Sequence, residues 1–224
     1  MPLLCEAVGL PPGPRSRRVR HHVNPLKLEF LQMAPPPLPL PPGPVEVELG
    51  CADARFLFER ARQHPGTSLI GIEIRPEWVR RVNERARAQG VPNVAAVHAN
   101  INQDLPALFR PGQVDRFFLN FPDPWFKRAQ HKRRVLDLAL AEQLRELLRP
   151  GGELLFQSDV FEVALAALEV LERTAGLTNV CGEWSFCRQN PYGARSLREI
   201  RAEERGLRIW RLLFQRATAP QACR

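Results

Sequence analysis

The 224-residue chain is 44% apolar and 25% charged, enough for one domain with its own core and too short for two full domains and a linker. Lys and Arg number 32 against 24 Asp and Glu, and this formal charge of +8 favours a polyanionic partner, nucleic acid or an anionic membrane surface. No apolar run reaches the length of a membrane span, Met1–Leu10 lacks a secretory-signal pattern, and five cysteines without a Cys-x-x-Cys pair argue against a disulfide framework or a zinc cluster, so a reduced, cytoplasmic protein with no metal and no membrane partner is expected.

Residues 1–44 are expected to form a basic, proline-rich N-terminal arm, and 45–224 the domain proper. Proline dominates at Pro11, Pro12, Pro14 and from Pro35 to Pro44, which disfavours helices and central strands. Between these blocks Arg17–Phe30 is basic with interspersed apolar residues: a flexible arm, or one that contacts RNA phosphates or closes over a site. From Val45 strands and helices alternate. VEVELG (45–50) reads as a strand and RFLFERARQH (55–64) as a helix. TSLIGIEI (67–74) is a second strand, and PEWVRRVNERARAQG (76–90) a helix opened by proline and closed by glycine. VAAVHA (94–99) is a third strand, followed by a short helical piece at 105–109. VDRFFLNF (114–121) is a fourth strand, 132–152 a long amphipathic helix with a Pro-Gly-Gly stop, and GELLFQSD (152–159) a fifth strand. A helix over 160–176 follows. The tail GLRIWRLLFQRA (206–217) reads as an antiparallel strand that pairs with VCGEWSFC (180–187). This alternation predicts an α/β fold: a mostly parallel sheet, a late antiparallel strand and helices on both faces.

Ligands bind such sheets beyond the carboxyl ends of the strands. After the first strand come Glu48, Gly50, Cys51, Ala52, Asp53 and Ala54, small residues that let the backbone approach a ligand. This loop lacks both the dinucleotide fingerprint and the phosphate-binding pattern. Glu73 ends the second strand and suits a ribose diol, or is a solvated strand end. Asn100 and Asn102 follow the third, as amides for an adenine edge or as turn formers. The fourth strand leads into Asn120-Phe121-Pro122-Asp123-Pro124-Trp125 and then into Lys127, Arg128, His131, Lys132, Arg133 and Arg134. Two prolines hold one carboxylate, and an aromatic residue with a basic cluster offers stacking and phosphate neutralisation. Asp159 follows the fifth strand as a helix cap, a ligand contact or both. Asn190–Glu199, NPYGARSLRE, reads as a loop with two arginines, a hydroxyl and a carboxylate.

Together these segments resemble the bacterial tRNA (guanine-N7-)-methyltransferases, the TrmB family, from Val45 to Ala217, with FPDPW and its trailing basic residues as the most distinctive match. The resemblance implies a Rossmann-like methyltransferase fold, S-adenosyl-L-methionine as cofactor, and guanine 46 of the tRNA variable loop as target. Glu48, Gly50, Glu73, Asn100 and Asp123 would bind the cofactor, with Asp123 also catalytic. Lys127, Lys132, Arg133, Arg134, Asp159, Ser196, Arg198 and Glu199 would meet RNA. The chain departs from the family at Ala52 and Ala54, where glycines are common, at Asn100 in place of Asp, and at Ser196 in place of Thr. The alanine methyls would tighten the cofactor pocket. Two other readings stay open: an RNA-binding protein on an inactive methyltransferase scaffold, and a methyltransferase of another RNA base. Monomer and homodimer are both compatible with the sequence.

Overall fold

The computed structural model describes residues 3–8, 23–31, 33, 35–124 and 135–218. The chain order is α1 (Leu4–Val8), α2 (Leu28–Leu31), β1 (Val45–Leu49), α3 (Arg55–Gln63), β2 (Ser68–Glu73), α4 (Pro76–Ala88) and β3 (Val94–His98). There follow α5 (Leu105–Leu108), β4 (Val114–Asn120), α6 (Leu138–Leu147), β5 (Leu148–Ser158), α7 (Phe161–Glu172), β6 (Leu177–Asn179), α8 (Leu197–Glu204) and β7 (Trp210–Arg216).

The seven strands form one sheet in the order β3-β2-β1-β4-β5-β7-β6. The β3-β2-β1-β4-β5 part is parallel, and β7 runs antiparallel to β5 and β6. From β1 the chain steps outward to β3, then crosses back to β4 and steps the other way. Right-handed crossovers therefore place α3 and α4 on one face and α6 on the other. The direction reverses between β1 and β4, which is where such sheets open a crevice.

Strands β1 and β2 are buried along their whole length, including Glu46 and Glu48. The alternation in VEVEL is thus not between core and solvent. Val45, Val47 and Leu49 face one packed layer, and the glutamates face another. Glu46 is held by Arg60 of α3 at 2.5 and 2.8 Å and by Arg116 of β4 at 2.9 Å. Arg60 also lies over the rings of Phe118 and Tyr192, and the Tyr192 hydroxyl donates to Glu153 at 2.9 Å. This knot joins β1, β4, β5, α3 and the loop before α8.

Several boundaries differ from the sequence expectation. Of the helix expected over 132–152, positions 132–134 lie outside the described residues, and among the described ones α6 spans Leu138–Leu147, with Asp137 capping it by accepting from Leu140 N at 2.8 Å. Strand β5 begins at Leu148 instead of Gly152. Pro150–Gly152 fall where its register with β4 shifts, and a Cβ at Gly152 would approach Arg149 O to 2.9 Å. The strand expected over 180–187 is instead β6 at Leu177–Asn179; beyond it only Cys187 pairs with Arg211 as an isolated bridge. Asn179 folds the intervening turn by accepting from Cys181 N and donating to Ser185 O. That turn brings Cys181 and Cys187 together in a disulfide with Cα atoms 5.5 Å apart, which corrects the expectation of an all-thiol protein. Cys5 and Cys51 are free and buried.

Described parts of the N-terminal arm pack on the domain. Leu4 and Cys5 belong to the core, with Leu4 N donating to Pro92 O at 2.9 Å. Leu38 and Leu40 pack against the same core. No helix among the described residues is long and apolar enough to cross a membrane.

Gly71 of β2 lies under the turn that follows β1, and a Cβ there would fall 2.8 Å from Cys51 Cβ. Gly71→Ala is expected to cost about 1–3 kcal/mol of stability through overpacking, read as a lower urea midpoint at unchanged slope.

Candidate active site

The turn after β1 is hung from the end of β2. Gly50 N and Cys51 N both donate to Ile72 O, at 2.8 and 3.2 Å, and Ala52 N donates to Glu73 Oε2 at 3.0 Å. Gly50 needs its φ of +79° for this turn. Ala52 and Ala54 also take left-handed φ values, 46° and 52°, where a Cβ costs about 1–2 kcal/mol. The glycine-type turn is thus kept with alanines. The Ala54 methyl is buried in the core and does not line the cleft, so only Ala52 narrows it.

Beyond these strand ends lies a cleft of about 540 Å³. Glu48, Gly50, Glu73, Asn100 and Asp123 line one part of it, and Ser196, Arg198 and Arg201 another. Glu48 is 3% exposed. Its Oε1 accepts from Asn120 Nδ2 at 2.9 Å, and its Oε2 is buried without a hydrogen-bond partner. Burial pushes its carboxyl up to about 8, the Asn120 bond opposing and the charges of Asp53 and Glu73 assisting.

Glu73 has a different environment. Besides Ala52 N it accepts from Arg75 N, Nε and Nη2 at 2.8–2.9 Å. These bonds fill the acceptor positions of a carboxylate, so a diol bound there takes the place of the Arg75 guanidinium. Burial alone would lower the Arg75 pKa, but the bond and charge of Glu73 hold it above its ordinary value.

Asn100 spends its amide on the N-terminal segment. Nδ2 donates to Pro25 O and Phe30 O, both at 3.1 Å, and Oδ1 accepts from Asn102 N. Its side chain thus forms a turn and secures Val23–Leu31 beside the cleft, which Val23 and Pro25 help to line. Asn102 donates to Val135 O at 2.8 Å.

Asp123 lines the cleft, after Phe121 at φ +51° and between two prolines. Phe121 N donates to Gln157 O, which fixes the start of this turn. Lys127, Lys132, Arg133 and Arg134 lie outside the described residues, but Asp123 and Val135, on either side of that segment, both line the cleft.

Also lining the cleft, Ser196 caps α8 by accepting from Glu199 N at 3.1 Å, so SLRE starts a helix and is not loop throughout. Asp159 does not cap α7. It pairs with Arg198 at 2.5 Å, its own side chain being 8% exposed. Glu199 is fully buried and bonded to Arg211, Gln157 and Asn190, so it supports the wall from behind. Gln157 and Arg211 escaped the sequence reading, and Asn120 was noted there only as the start of the FPDPW segment. Their signal was a polar side chain beside the apolar stretch of each strand, FFL, LLF and LLF. Among the described residues no cluster of His, Cys, Asp and Glu could hold a metal ion.

The doubly wound sheet, its acidic strand ends and the orphaned Glu48 oxygen fit S-adenosylmethionine, which offers a diol, a sulfonium and an ammonium group. They define the chain as a methyltransferase of the class that uses this cofactor. Solved structures agree on the fold: the 16S rRNA methyltransferase KamB matches with a TM-score of 0.56 and 14% identity, covering 78% of this chain and 88% of that one. A SAM-dependent methyltransferase from Aquifex aeolicus matches at 0.50 and 14%, covering 77% and 82%. Residues 42–212 match the family described as "Putative methyltransferase". A tRNA (guanine-N(7)-)-methyltransferase from Thermosynechococcus vestitus is 36% identical over 204 residues, 89% of this chain and 95% of its own. One from Nostoc sp. is 32% identical over 210 residues, 90% and 95%. The chain belongs to the family of these enzymes.

Glu48 binds its proton more tightly folded than unfolded. Its contribution to stability is therefore whole below about pH 4.5 and is lost as pH rises toward about 8. Glu48→Gln is expected to be more resistant to urea than the wild type near pH 9 and to lose much of that advantage near pH 5.

Proposed function

We propose that the chain transfers the methyl group of S-adenosylmethionine to N7 of guanine 46 in the variable loop of tRNA, acting in the cytoplasm as a monomer or homodimer. The observation that carries this reading is the placement of Asp123. A proline-held carboxylate lines the same cleft as Glu48, Glu73, Ser196, Arg198 and Arg201. The names of the relatives support the choice of tRNA and of guanine N7.

S-adenosylmethionine supplies an electrophilic methyl group on a sulfonium. Glu48, Gly50 and Glu73 would hold it, Glu48 through its unpartnered oxygen and Glu73 in exchange for Arg75, while Asn100 shapes the cleft by holding Val23–Leu31 beside it. Guanine N7 presents a lone pair and no proton, so the chain needs no general base. Its task is alignment, which can supply about 7–11 kcal/mol of barrier reduction. Asp123 accepts from N1–H or the exocyclic amine of the guanine and offsets positive charge that develops on the purine. Arg198 and Arg201 face phosphate, with Asp159 fixing the direction of Arg198. Lys127, Lys132, Arg133 and Arg134 would add positive charge for the RNA from the segment between Asp123 and Val135.

Unmodified tRNA incubated with methyl-labelled S-adenosylmethionine is expected to carry the label on N7 of guanine 46. Label on an exocyclic amine or another base would redirect the reading, and tRNA binding without transfer would favour the inactive scaffold. Asp123→Ala is expected to lower kcat by about 10²-fold or more; near wild-type turnover at unchanged cofactor affinity would remove Asp123 from the mechanism. Neutralising Lys132, Arg133 and Arg134 together is expected to flatten the salt dependence of tRNA affinity by about two to three in log–log slope.

A further inference from the structure

Four residues on four neighbouring strands form a row near the carboxyl ends of the parallel strands: Glu48, Asn120, Gln157 and Arg211. Asn120 stands opposite Gln157 in the β4–β5 ladder, and Gln157 opposite Arg211 in the β5–β7 ladder. Glu48 lies opposite Phe118, two residues before Asn120, so all four side chains share one face. They are bonded in sequence. Arg211 Nε donates to Gln157 Oε1 at 2.7 Å, Gln157 Nε2 to Asn120 Oδ1 at 2.9 Å, and Asn120 Nδ2 to Glu48 Oε1 at 2.9 Å.

The direction of this row is not free. A guanidinium only donates, so Gln157 must turn its oxygen to Arg211 and its NH₂ to Asn120. Asn120 must then turn its oxygen to Gln157 and its NH₂ to Glu48. An arginine three strands away thereby decides that Glu48 meets an N–H and not a carbonyl. The same arginine donates to Glu199 Oε1 at 2.9 Å, and Gln157 Nε2 reaches Glu199 Oε2 at 3.3 Å. Glu199 belongs to α8, the helix that brings Leu197, Arg198 and Arg201 to the cleft.

We propose that Arg211, Gln157 and Asn120 are positioning residues for the transfer: Arg211 sets the amide directions that keep an N–H donor on Glu48, and anchors Glu199 beneath the substrate-facing helix. The proposal rests on the functional reading above. It makes the cofactor side and the RNA side of the cleft two ends of one buried row. Gln157, at 0% exposed, touches neither ligand region and acts only through its neighbours.

Loss of the Asn120 bond raises the Glu48 pKa, since that bond opposes the effect of burial. The charges that act on Glu48 are Asp53 after β1 and Glu73 after β2, its own charge acts on the Cys51 thiol, and Arg55, Arg75, Asp123, Arg198 and Arg201 line the same cleft. None of them changes in the test. Gln157→Met keeps the volume, breaks the row in its middle and leaves the Arg211–Glu199 pair. Calorimetry of S-adenosylmethionine binding to the full chain across pH is the readout. We expect affinity to fall about tenfold near neutral pH and its rise with pH to move to higher pH. Arg211→Lys, which keeps a donor facing Gln157, should retain the wild-type profile. Gln157→Asn, too short to span Asn120 and Arg211, repeats the test if the methionine variant does not fold. A folded Gln157 variant with an unmoved profile and affinity overturns the proposal alone. Wild-type chain that binds no S-adenosylmethionine overturns the functional reading and this proposal with it.

Discussion

Two glutamates are sealed into an interior strand of the sheet, β1, and a buried carboxylate is tolerated only where donors or positive charge meet it. Glu46 receives two arginines, Arg60 and Arg116, and the surrounding loops arrange themselves about that knot. Removing one partner of such a pair costs about 3–5 kcal/mol, since the other charge is left buried. Glu48, two residues on, receives a single amide. The first glutamate is satisfied by the fold alone, whereas the second is left with acceptor capacity that the fold does not use. This contrast between neighbours on one strand separates structure from site.

The turn beyond them shows how far a sequence can drift while a backbone path is kept. Three hydrogen bonds tie Gly50, Cys51 and Ala52 to the end of β2. That tether holds Ala52 and Ala54 in conformations where glycine would be at ease. The strain is local and is offset by packing, with Ala54 fully buried. Phe121 repeats the pattern at the next strand end, so left-handed residues mark both sides of the crevice.

The strand and helix order was legible because hydrophobic period and the Gly and Pro stops agree over most of the domain. Elements failed where a side chain set the boundary. Asp137 shortened α6, Asn179 bent the chain away from a second long strand, and Ser196 opened α8 inside what read as a loop. The residues at the strand ends were legible from position, but their partners were not. Nothing in the sequence told that Arg75 would fold back onto Glu73, that Asn100 would hold the N-terminal segment, or that Glu199 would face the sheet interior. The last two depend on neighbours distant in sequence and near in space, whereas Arg75 meets Glu73 through a local turn that the sequence does not announce. The disulfide was missed because spacing alone gives no sign of the local Asn179 turn.

The packing of α1 bears on how the molecule behaves in a crowded solution. A sheet has two edges, and an open edge with apolar residues invites pairing with another chain. Here one edge is β6, only three residues long and followed by a cross-linked turn. The other is β3, whose Val94–Val97 are buried, with α1 packed beside them and Leu4 bonded to Pro92. Leu4 and Cys5, which complete the core, therefore also fill space beside an edge strand that a strand from another chain would need in order to pair.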